Sequence, residues 1–253
     1  MINVKTVSDY IDSIAPYNTK CDWDNCGILI GNPLASVKKV GFTLDLTPET
    51  LNRSAEDNVD LVITHHPVIF KAQKSFLDGN IAFAAAQKNI NIISAHTCFD
   101  CADGGVNDVL CDILGVADPV GIDCDECAVP MARIGSINEI SPENFAEFVA
   151  KKLDTTVRFI EGTRPITRVA VCGGAGMSFL HEVIAAGADA YVTGDISHHE
   201  MLEAKERGIT VVAAGHFETE YPAMTALKNM VASHFKELEC CVIEQSNPVR
   251  FIK

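Results

Sequence analysis

The sequence lacks any long uninterrupted apolar stretch. No apolar run approaches the roughly 18 residues that a membrane helix needs, and residues 1–5 lack the apolar core of a signal peptide. Basic side chains are also scarce, because 20 Lys and Arg stand against 34 Asp and Glu, for a formal net charge of −14. A charge of this sign repels a phosphate backbone. We therefore expect a cytoplasmic protein with no membrane partner and no general nucleic-acid binding.

A complete dinucleotide-binding fingerprint is also missing. Gly174 and Gly176 lie between a predicted strand and a predicted helix, but Phe179 occupies the place of the third glycine. We therefore expect no nucleotide cofactor. The backbone N–H groups of this segment favour either a contact with a substrate phosphate or a plain tight turn.

The ten cysteines are unusually many, and four of them form pairs, Cys98 with Cys101 and Cys124 with Cys127. The separation of the two pairs is close to zinc-ribbon spacing but outside its usual range. Reduced thiols, several of them small core residues, are the preferred interpretation, and a structural zinc ribbon is the alternative.

From residue 40 onward the pattern alternates between strands and helices, which predicts an α/β fold with parallel strands. Thr47 and Pro48 mark the start of the first of these helices. The second half then repeats the first: Asp60-Leu61-Val62-Ile63-Thr64 matches Asp189-Ala190-Tyr191-Val192-Thr193, and Lys39-Val40 matches Arg168-Val169 at the same offset. An internal duplication is the economical explanation.

The repeat predicts two α/β lobes, residues 1–125 and 126–253, with a soft boundary near residue 125. The segment 116–138 mixes acids, cysteines and Pro130, and we expect it to cross between the lobes, with Met131 to Ile137 as a candidate strand. Because the two lobes are expected to share ligands, they should form a single structural unit with one metal site.

Three histidine clusters follow predicted strands, where an open parallel sheet gathers its ligands. They are His65 with His66, His96 with Asp100, and His216 with Glu220. The four-residue spacing of histidine and acid occurs in both halves, and imidazole and carboxylate suit zinc, manganese, iron, cobalt or nickel. Because these ligands exceed the need of one catalytic ion, we expect two divalent ions. For any one histidine, a hydrogen-bonded structural role is the alternative.

Two ions can activate a water molecule, which predicts hydrolytic chemistry. Their positive charge would also allow a small anionic substrate to bind in an acidic protein. Asp195 and His198 follow the strand that is equivalent to the one before His65, and they are the candidates for proton transfer. The alternative is that Asp195 caps the next helix and the histidines there are merely exposed. Trp23, the only tryptophan, is expected to pack in the core or to line an entrance.

Several motifs together resemble one known family, the Nif-three-like proteins, whose bacterial members are called GTP cyclohydrolase 1 type 2 homologues. The motifs are Asp22-Trp23-Asp24-Asn25-Cys26-Gly27, Leu44-Asp45-Leu46-Thr47-Pro48, Ile63-Thr64-His65-His66-Pro67, Ala95-His96-Thr97 with Asp100, Gly104-Gly105-Val106-Asn107-Asp108, Thr193-Gly194-Asp195, and Gly215-His216 with Glu220. Their order spans the chain and is more specific than any one of them.

The resemblance implies a two-lobed α/β fold with a dinuclear metal centre, assembled into a ring-shaped homohexamer. It implies a short form without the middle insert of longer members. The ligands it implies are His65, His66, Asp100, His216 and Glu220, with His96 a ligand in some members. Asp103 competes with Asp100, which we prefer because its spacing from His96 recurs in the second half.

The resemblance implies a GTP cyclohydrolase-like activity on a nucleotide-like substrate, in which water attacks the purine imidazole ring and formate is released. Asp195 or His198 would then move protons. A phosphoesterase using the same centre is one alternative. A non-catalytic ring that binds metal or a protein partner is the other.

Overall fold

The computed structural model describes residues 1–124 and 129–250. The chain divides into two compact units, and neither is one continuous segment. The first unit comprises Met1–Asp103 and Met224–Ser246, and the second comprises Gly104–Ala223 with the residues from Asn247 onward. The boundary that we expected near residue 125 lies outside the described residues, as does Cys127.

The first unit is built on a five-stranded sheet in the order β1-β4-β3-β2-β11. Its strands are β1 Gly27–Ile30, β2 Lys39–Thr43, β3 Leu61–Thr64, β4 Asn91–Ser94 and β11 Glu239–Val242. Strands β4, β3, β2 and β11 run parallel, and β1 is antiparallel to β4. β3 and β4 are buried throughout, as expected for strands covered on both faces.

The helices of the first unit are α1 Val4–Ile14, α2 Pro48–Glu56, α3 Ile81–Gln87, α4 Thr97–Cys101 and α10 Pro222–His234, with a 3-10 turn at Tyr17–Thr19. Of these, α1, α2 and α3 pack against strands of the sheet. Leu51 of α2 and Ala85 of α3 pack with Val62 and Ile92 of the strands in one core cluster. Thr47 caps α2 through a capping box with Thr50, and Pro48 is in the first turn, as the sequence predicts.

The second unit contains a six-stranded sheet in the order β5-β6-β8-β9-β10-β7. Its strands are β5 Ala117–Ile122, β6 Ala132–Ile140, β7 Arg158–Ile160, β8 Ile166–Cys172, β9 Ala190–Thr193 and β10 Thr210–Ala213. Only β8, β9 and β10 are mutually parallel. The segment that we expected to cross between the lobes contributes β5, which the sequence did not predict, and most of β6, which overlaps the candidate strand Met131 to Ile137. Both strands are paired antiparallel.

The helices of the second unit are α5 Val106–Leu114, α6 Pro142–Lys152, α7 Leu180–Ala185, α8 His198–Arg207 and α9 His216–Glu220. The sequence pattern predicts a helix from Ser178 to Ala186; the structure has a 3-10 turn at Gly176–Phe179 followed by α7. Phe145 and Val149 of α6 pack against Val171 and Val192 of the sheet. Among the described residues, no helix is both long and apolar enough to span a membrane.

The internal repeat is visible in the strand register. Val40 pairs with Leu61 across β2 and β3, and the residues at the repeat-equivalent positions, Val169 and Ala190, pair across β8 and β9. In each copy, the aspartate before the second strand accepts hydrogen bonds from two backbone N–H groups near the start of the first strand. Lys38 and Lys39 donate to Asp60, and Thr167 and Arg168 donate to Asp189. These observations agree with the predicted duplication and with the predicted α/β fold class, which is confirmed.

Candidate metal centre

The first unit brings three imidazoles together at the carboxyl ends of two neighbouring parallel strands. His65 and His66 follow β3 directly, and His96 lies after β4 as the residue before α4. Their ring centroids are 5.0 Å (His65 to His66), 5.0 Å (His65 to His96) and 5.4 Å (His66 to His96) apart. One ring nitrogen from each lies within 4.8 Å of the others, so this cluster is able to hold a metal ion.

Each of these rings is held through its Nδ1 atom by an oxygen acceptor. The partners are the Ala95 carbonyl for His65 at 2.9 Å, Asp45 Oδ1 for His66 at 2.7 Å and Asp24 Oδ1 for His96 at 2.9 Å. Because a carbonyl or carboxylate only accepts, each Nδ1 must carry the hydrogen, which leaves Nε2 with the lone pair that a metal needs. Metal-binding histidines show this arrangement of outer acceptors.

Asp24 connects His96 to the loop that precedes β1. Its carboxylate is buried and also accepts from the backbone N–H and the hydroxyl of Thr97, at 3.0 and 2.6 Å. Burial alone would raise the pKa of Asp24, but the hydrogen bonds that it accepts from His96 and Thr97 hold that pKa well below its usual range. The group is therefore ionised at neutral pH and fixes the tautomer of His96.

Asp100 lies in α4 and is buried, with Oδ1 3.6 Å from Nε2 of the fully buried His65. Asp103, its competitor for the same role, is exposed. Among the described residues, Asp103 belongs to no group of ligand-type side chains close enough to share an ion. Burial and position therefore both favour Asp100.

The second unit places a histidine and a carboxylate at opposite ends of α9. His216 begins this helix and Glu220 ends it, so His216 Nε2 lies 3.2 Å from Glu220 Oε2. Asp195 Oδ2 accepts from His216 Nδ1 at 2.7 Å. The second unit therefore uses the same construction as the first, an imidazole whose Nδ1 is held by a carboxylate.

One residue distinguishes the two copies at this point. Ala95 and Ala214 donate equivalent backbone hydrogen bonds, to Thr64 and Thr193 respectively. His96 follows Ala95 directly, whereas Gly215 is inserted before His216, with a φ of 95° that favours glycine. The insertion places His216 one residue further from its strand than His96 is from its own.

Asp195 and His198 occupy different surroundings. Ser197, not Asp195, caps α8 in a capping box with Glu200, so the alternative interpretation of Asp195 as a cap is wrong. Asp195 instead holds His216 and lines a cleft of about 300 Å³ together with Arg158, Met177 and other residues. His198 is exposed as the first residue of α8 and belongs to no candidate metal group among the described residues.

The glycine-rich loop after β8 packs against the second histidine and carboxylate. The backbone N–H groups of Gly173, Gly174 and Gly176 donate to Asn107, Thr219 and Thr193 side chains, which argues against the predicted phosphate contact. A Cβ on Gly174 would lie 2.1 Å from Glu220 Oε1 and 3.2 Å from His216 Nε2. Glycine suits this position because the side chains of Glu220 and His216 lie so close to its Cα that they leave no room for a Cβ.

The sequence pattern identified the histidines but missed two of the acids that orient them, Asp24 and Asp45. Each lies far along the chain from its histidine, in a loop without periodicity. Both occur in motifs that carry the family resemblance, which was the available signal. Nitrogen and oxygen donors of this kind fit a borderline divalent ion.

In this α/β chain, histidines whose Nδ1 atoms are bonded to carboxylates follow the parallel strands. These features define a candidate metalloprotein. The chain belongs to the Duf34/NIF3 (NGG1p interacting factor 3) family, whose sequence description matches residues 2–248. The resemblance stated from the motifs is thereby confirmed.

Individual relatives agree with this assignment. A protein named GTP cyclohydrolase 1 type 2 homolog from Clostridium acetobutylicum is 30% identical over 236 residues, which cover 89% of this chain and 88% of that protein. Among solved structures, Staphylococcus aureus hypothetical protein SA1388 is 26% identical with a TM-score of 0.89, covering 99% of each chain. Reduced HcgD from Methanocaldococcus jannaschii is 28% identical with a TM-score of 0.83, covering 96% of this chain and 98% of that one.

Proposed function

We propose that the protein is a dinuclear metal-dependent hydrolase that acts on a small anionic, nucleotide-like substrate. The observation that carries the proposal is the clustering of His65, His66 and His96, each with Nδ1 held by an oxygen. A histidine with a purely structural role does not require two more imidazoles beside it. Here all three rings have Nε2 left with the lone pair that a metal needs.

The proposed ligands come from both units. They are His65, His66, His96, Asp100, His216 and Glu220. The ions would be zinc, iron, manganese, cobalt or nickel, since all accept imidazole and carboxylate. When bound, two such ions lower the pKa of a water molecule and polarise the bond that it attacks. Asp195 keeps His216 in the correct tautomer, and His198 is proposed to carry protons from the exposed start of α8.

The substrate class follows from the relatives and from charge. The names of the relatives point to hydrolytic opening of a guanine imidazole ring with release of formate. A chain with a net charge of −14 repels a free anion, so cations at the site would offset this repulsion for a nucleotide. The alternative of a phosphoesterase uses the same ligands and differs in the bond that breaks.

Metal analysis together with a product assay tests the proposal. GTP incubated with the native protein should yield formate, and His66→Ala should lose both metal and formate production. His198→Ala should keep its metal and lose rate. His181→Ala is the matched control, because His181 is exposed and only faces Glu203, so it should change neither quantity.

Other outcomes would replace the proposal. Phosphate without formate would establish the phosphoesterase alternative. A protein that exchanges ions with a chelator and releases neither product would be a metal-binding or protein-interaction ring. A preparation that contains no divalent ion would contradict the hydrolase, the phosphoesterase and the metal-binding ring, and would leave only the protein-interaction ring.

We also propose that the protein is a homo-oligomer, a hexameric ring, as the family resemblance implies. Sedimentation should then give about six times the 27.3 kDa of one chain. A monomer in solution would contradict this proposal and leave the metal chemistry untouched.

A further inference from the structure

Two aromatic side chains are exposed beside the histidine cluster. Trp23 is 53% exposed and Phe70 is 46% exposed, although burial of such large rings is strongly favoured in water. Their ring centroids are 5.7 Å apart, with an interplanar angle of 53°. Exposed aromatic pairs of this kind are typical of binding surfaces rather than of a core.

Both rings lie against His96. The Trp23 ring is 5.9 Å from the His96 ring at 68°, and the Phe70 ring is 6.4 Å away at 77°. The imidazole is therefore presented edge-on to both aromatic rings. His96 in turn is 5.0 Å from His65 and 5.4 Å from His66, so the aromatic pair adjoins the proposed metal ligands.

The turn that carries Trp23 is fixed at both ends to the residue after His96. The Cys21 N–H donates to the Thr97 hydroxyl at 3.0 Å, and the Thr97 hydroxyl and N–H donate to Asp24. The turn itself is closed by a hydrogen bond from the Asp24 N–H to the Cys21 carbonyl at 2.9 Å. Trp23 therefore projects from an anchored turn, not from a loose loop.

The segment that carries Phe70 is tied to the same turn. The Asn25 side-chain amide donates to the carbonyl of Ile69, the residue before Phe70, at 2.7 Å. The Asn25 N–H donates to Asp24 at 2.6 Å, so one buried carboxylate organises His96 and the turn that is bonded to the Phe70 segment. The two exposed rings are thereby held at a fixed separation, which lowers the entropic cost of binding a ligand.

We propose that Trp23 and Phe70 form a stacking platform for the planar heteroaromatic ring of the substrate. Such a ring stacks through its face and presents ring nitrogens and carbonyl oxygens at its edge, where the imidazole cluster lies. The inference deepens the proposed function, on which it rests for the identity of the site, by assigning the base of a nucleotide to these two residues.

Because Trp23 is the only tryptophan, its fluorescence reports on the platform directly. Guanosine should quench this fluorescence saturably, and ribose 5-phosphate, which lacks the ring, should not. Phe70→Leu should weaken guanosine binding by roughly tenfold, which is typical of one lost stacking contact. Phe76→Leu is the matched control, because Phe76 is 45% exposed in the same segment, and it should bind like the native protein.

Two further variants separate an aromatic contact from an apolar one. Calorimetry should show that Trp23→Leu binds guanosine at least about tenfold more weakly, whereas Trp23→Phe should keep most of the affinity because it retains a ring face. Equal binding by Trp23→Leu and Trp23→Phe, or equal quenching by guanosine and ribose 5-phosphate, would overturn the inference. A change in sedimentation mass in Phe70→Leu would also overturn it, since these rings would then cover a second copy of the chain.

Two measurements together distinguish this inference from the proposed function. They are metal analysis of the purified protein and a guanosine titration with and without EDTA. If the purified protein contains no metal and guanosine still quenches its fluorescence, the stacking platform is supported and the hydrolase proposal is rejected. A protein that binds metal and releases formate, yet shows no effect of Phe70→Leu, would reject the platform alone.

Discussion

Asp24 accepts hydrogen bonds from His96, from Thr97 and from Asn25 within the first unit. In Asp24→Asn, an NH2 group replaces one carboxylate oxygen and faces donors, either Nδ1–H of His96 or the N–H and hydroxyl of Thr97. In either arrangement the side chain at this position no longer holds both residues, and the His96 ring is less firmly fixed. We expect metal affinity to fall roughly 10–100-fold, as for other partners of metal-binding histidines. Competition with a chelator of known affinity would measure the change.

Asp22→Asn is the control for this prediction, since Asp22 is exposed in the same turn. It removes the same charge without touching His96. Equal metal affinity in the two variants would show that Asp24 acts only through net charge.

Asp189 gives a pH-dependent prediction. Burial raises the pKa of Asp189. The N–H groups of Thr167 and Arg168 and the charge of Arg164 lower it by more, so the pKa of Asp189 is below its ordinary value. Its stabilising effect is therefore present above the ordinary carboxyl pKa and is lost as pH falls through the lowered value. Asp189→Asn should reduce the free energy of unfolding by about 2 kcal/mol at neutral pH.

Urea unfolding at a series of pH values would test this. The difference between the native protein and Asp189→Asn should shrink as the solution becomes acidic, while Asp78→Asn, at an exposed loop position, should change little at any pH. A difference that grows towards low pH would reverse the sign of the argument.

At the scale of secondary-structure elements, the turn after β8 sets the position of α9. Gly174 and Gly187 both have positive φ, 60° and 81°, but only Gly174 has neighbours that a Cβ would meet. Alanine at either position should therefore cost about 1 kcal/mol in backbone strain. Gly174→Ala alone should also displace the Glu220 side chain and lower metal content.

Comparing unfolding and metal analysis for Gly174→Ala and Gly187→Ala separates the two effects. If the two variants have similar stabilities and only Gly174→Ala loses metal, the result would support the contact between Gly174 and the Glu220 side chain. Equal metal content in both variants would mean that Glu220 moves aside without consequence.

The segment after β11 also reaches the histidine cluster of its unit. Gln245 Oε1 accepts from the Thr43 hydroxyl at 2.8 Å and from the Asp45 N–H at 2.9 Å, and its Nε2 donates to Asp45 Oδ2 at 2.7 Å. Asp45 in turn holds His66. Gln245→Ala should therefore weaken metal binding about tenfold through a looser His66 ring, measured by the same chelator competition.

Glu244→Gln is the neighbouring control, because the exposed side chain of Glu244 forms an ion pair with Arg53 and such pairs contribute little. If Gln245→Ala lowered the unfolding midpoint but kept the metal affinity of Glu244→Gln, Gln245 would be a structural residue with no effect on His66.

Elements with strong local signals could be predicted from the sequence. The capping residues of α2 match the expectation. The apolar pattern also predicts a helix from Val106 to Leu114 that Gly115 closes, and α5 has this span and ends at the left-handed Gly115. The five-residue helices α4 and α9 were missed, because so short a segment shows no helical periodicity. β5 was missed because it is almost entirely exposed and so lacks a strand pattern. The acids that orient histidines depend on contacts between distant residues, which one sequence does not reveal.

At the scale of the whole molecule, the proposal that both units serve one dinuclear centre has a thermodynamic consequence. His66→Ala and His216→Ala should each lower metal content, and the double variant should lose less than the two single losses combined, since interacting sites are not additive. Metal analysis of the three variants would measure this. Strictly additive losses would indicate two independent sites, one in each unit.

The return of the chain to its first sheet has a further consequence, for synthesis in the cell. β11 covers the side of β2, through a parallel pairing of Lys39 with Glu239, and Gln245 meets Asp45 about 200 positions away. Until those later residues leave the ribosome, the nascent first unit exposes an unpaired strand edge that invites association with other chains. Closing so long a loop is slow. Completion of the first unit therefore waits until Gly104–Ala223 of the second unit have been synthesised, although most of the first unit is made before them.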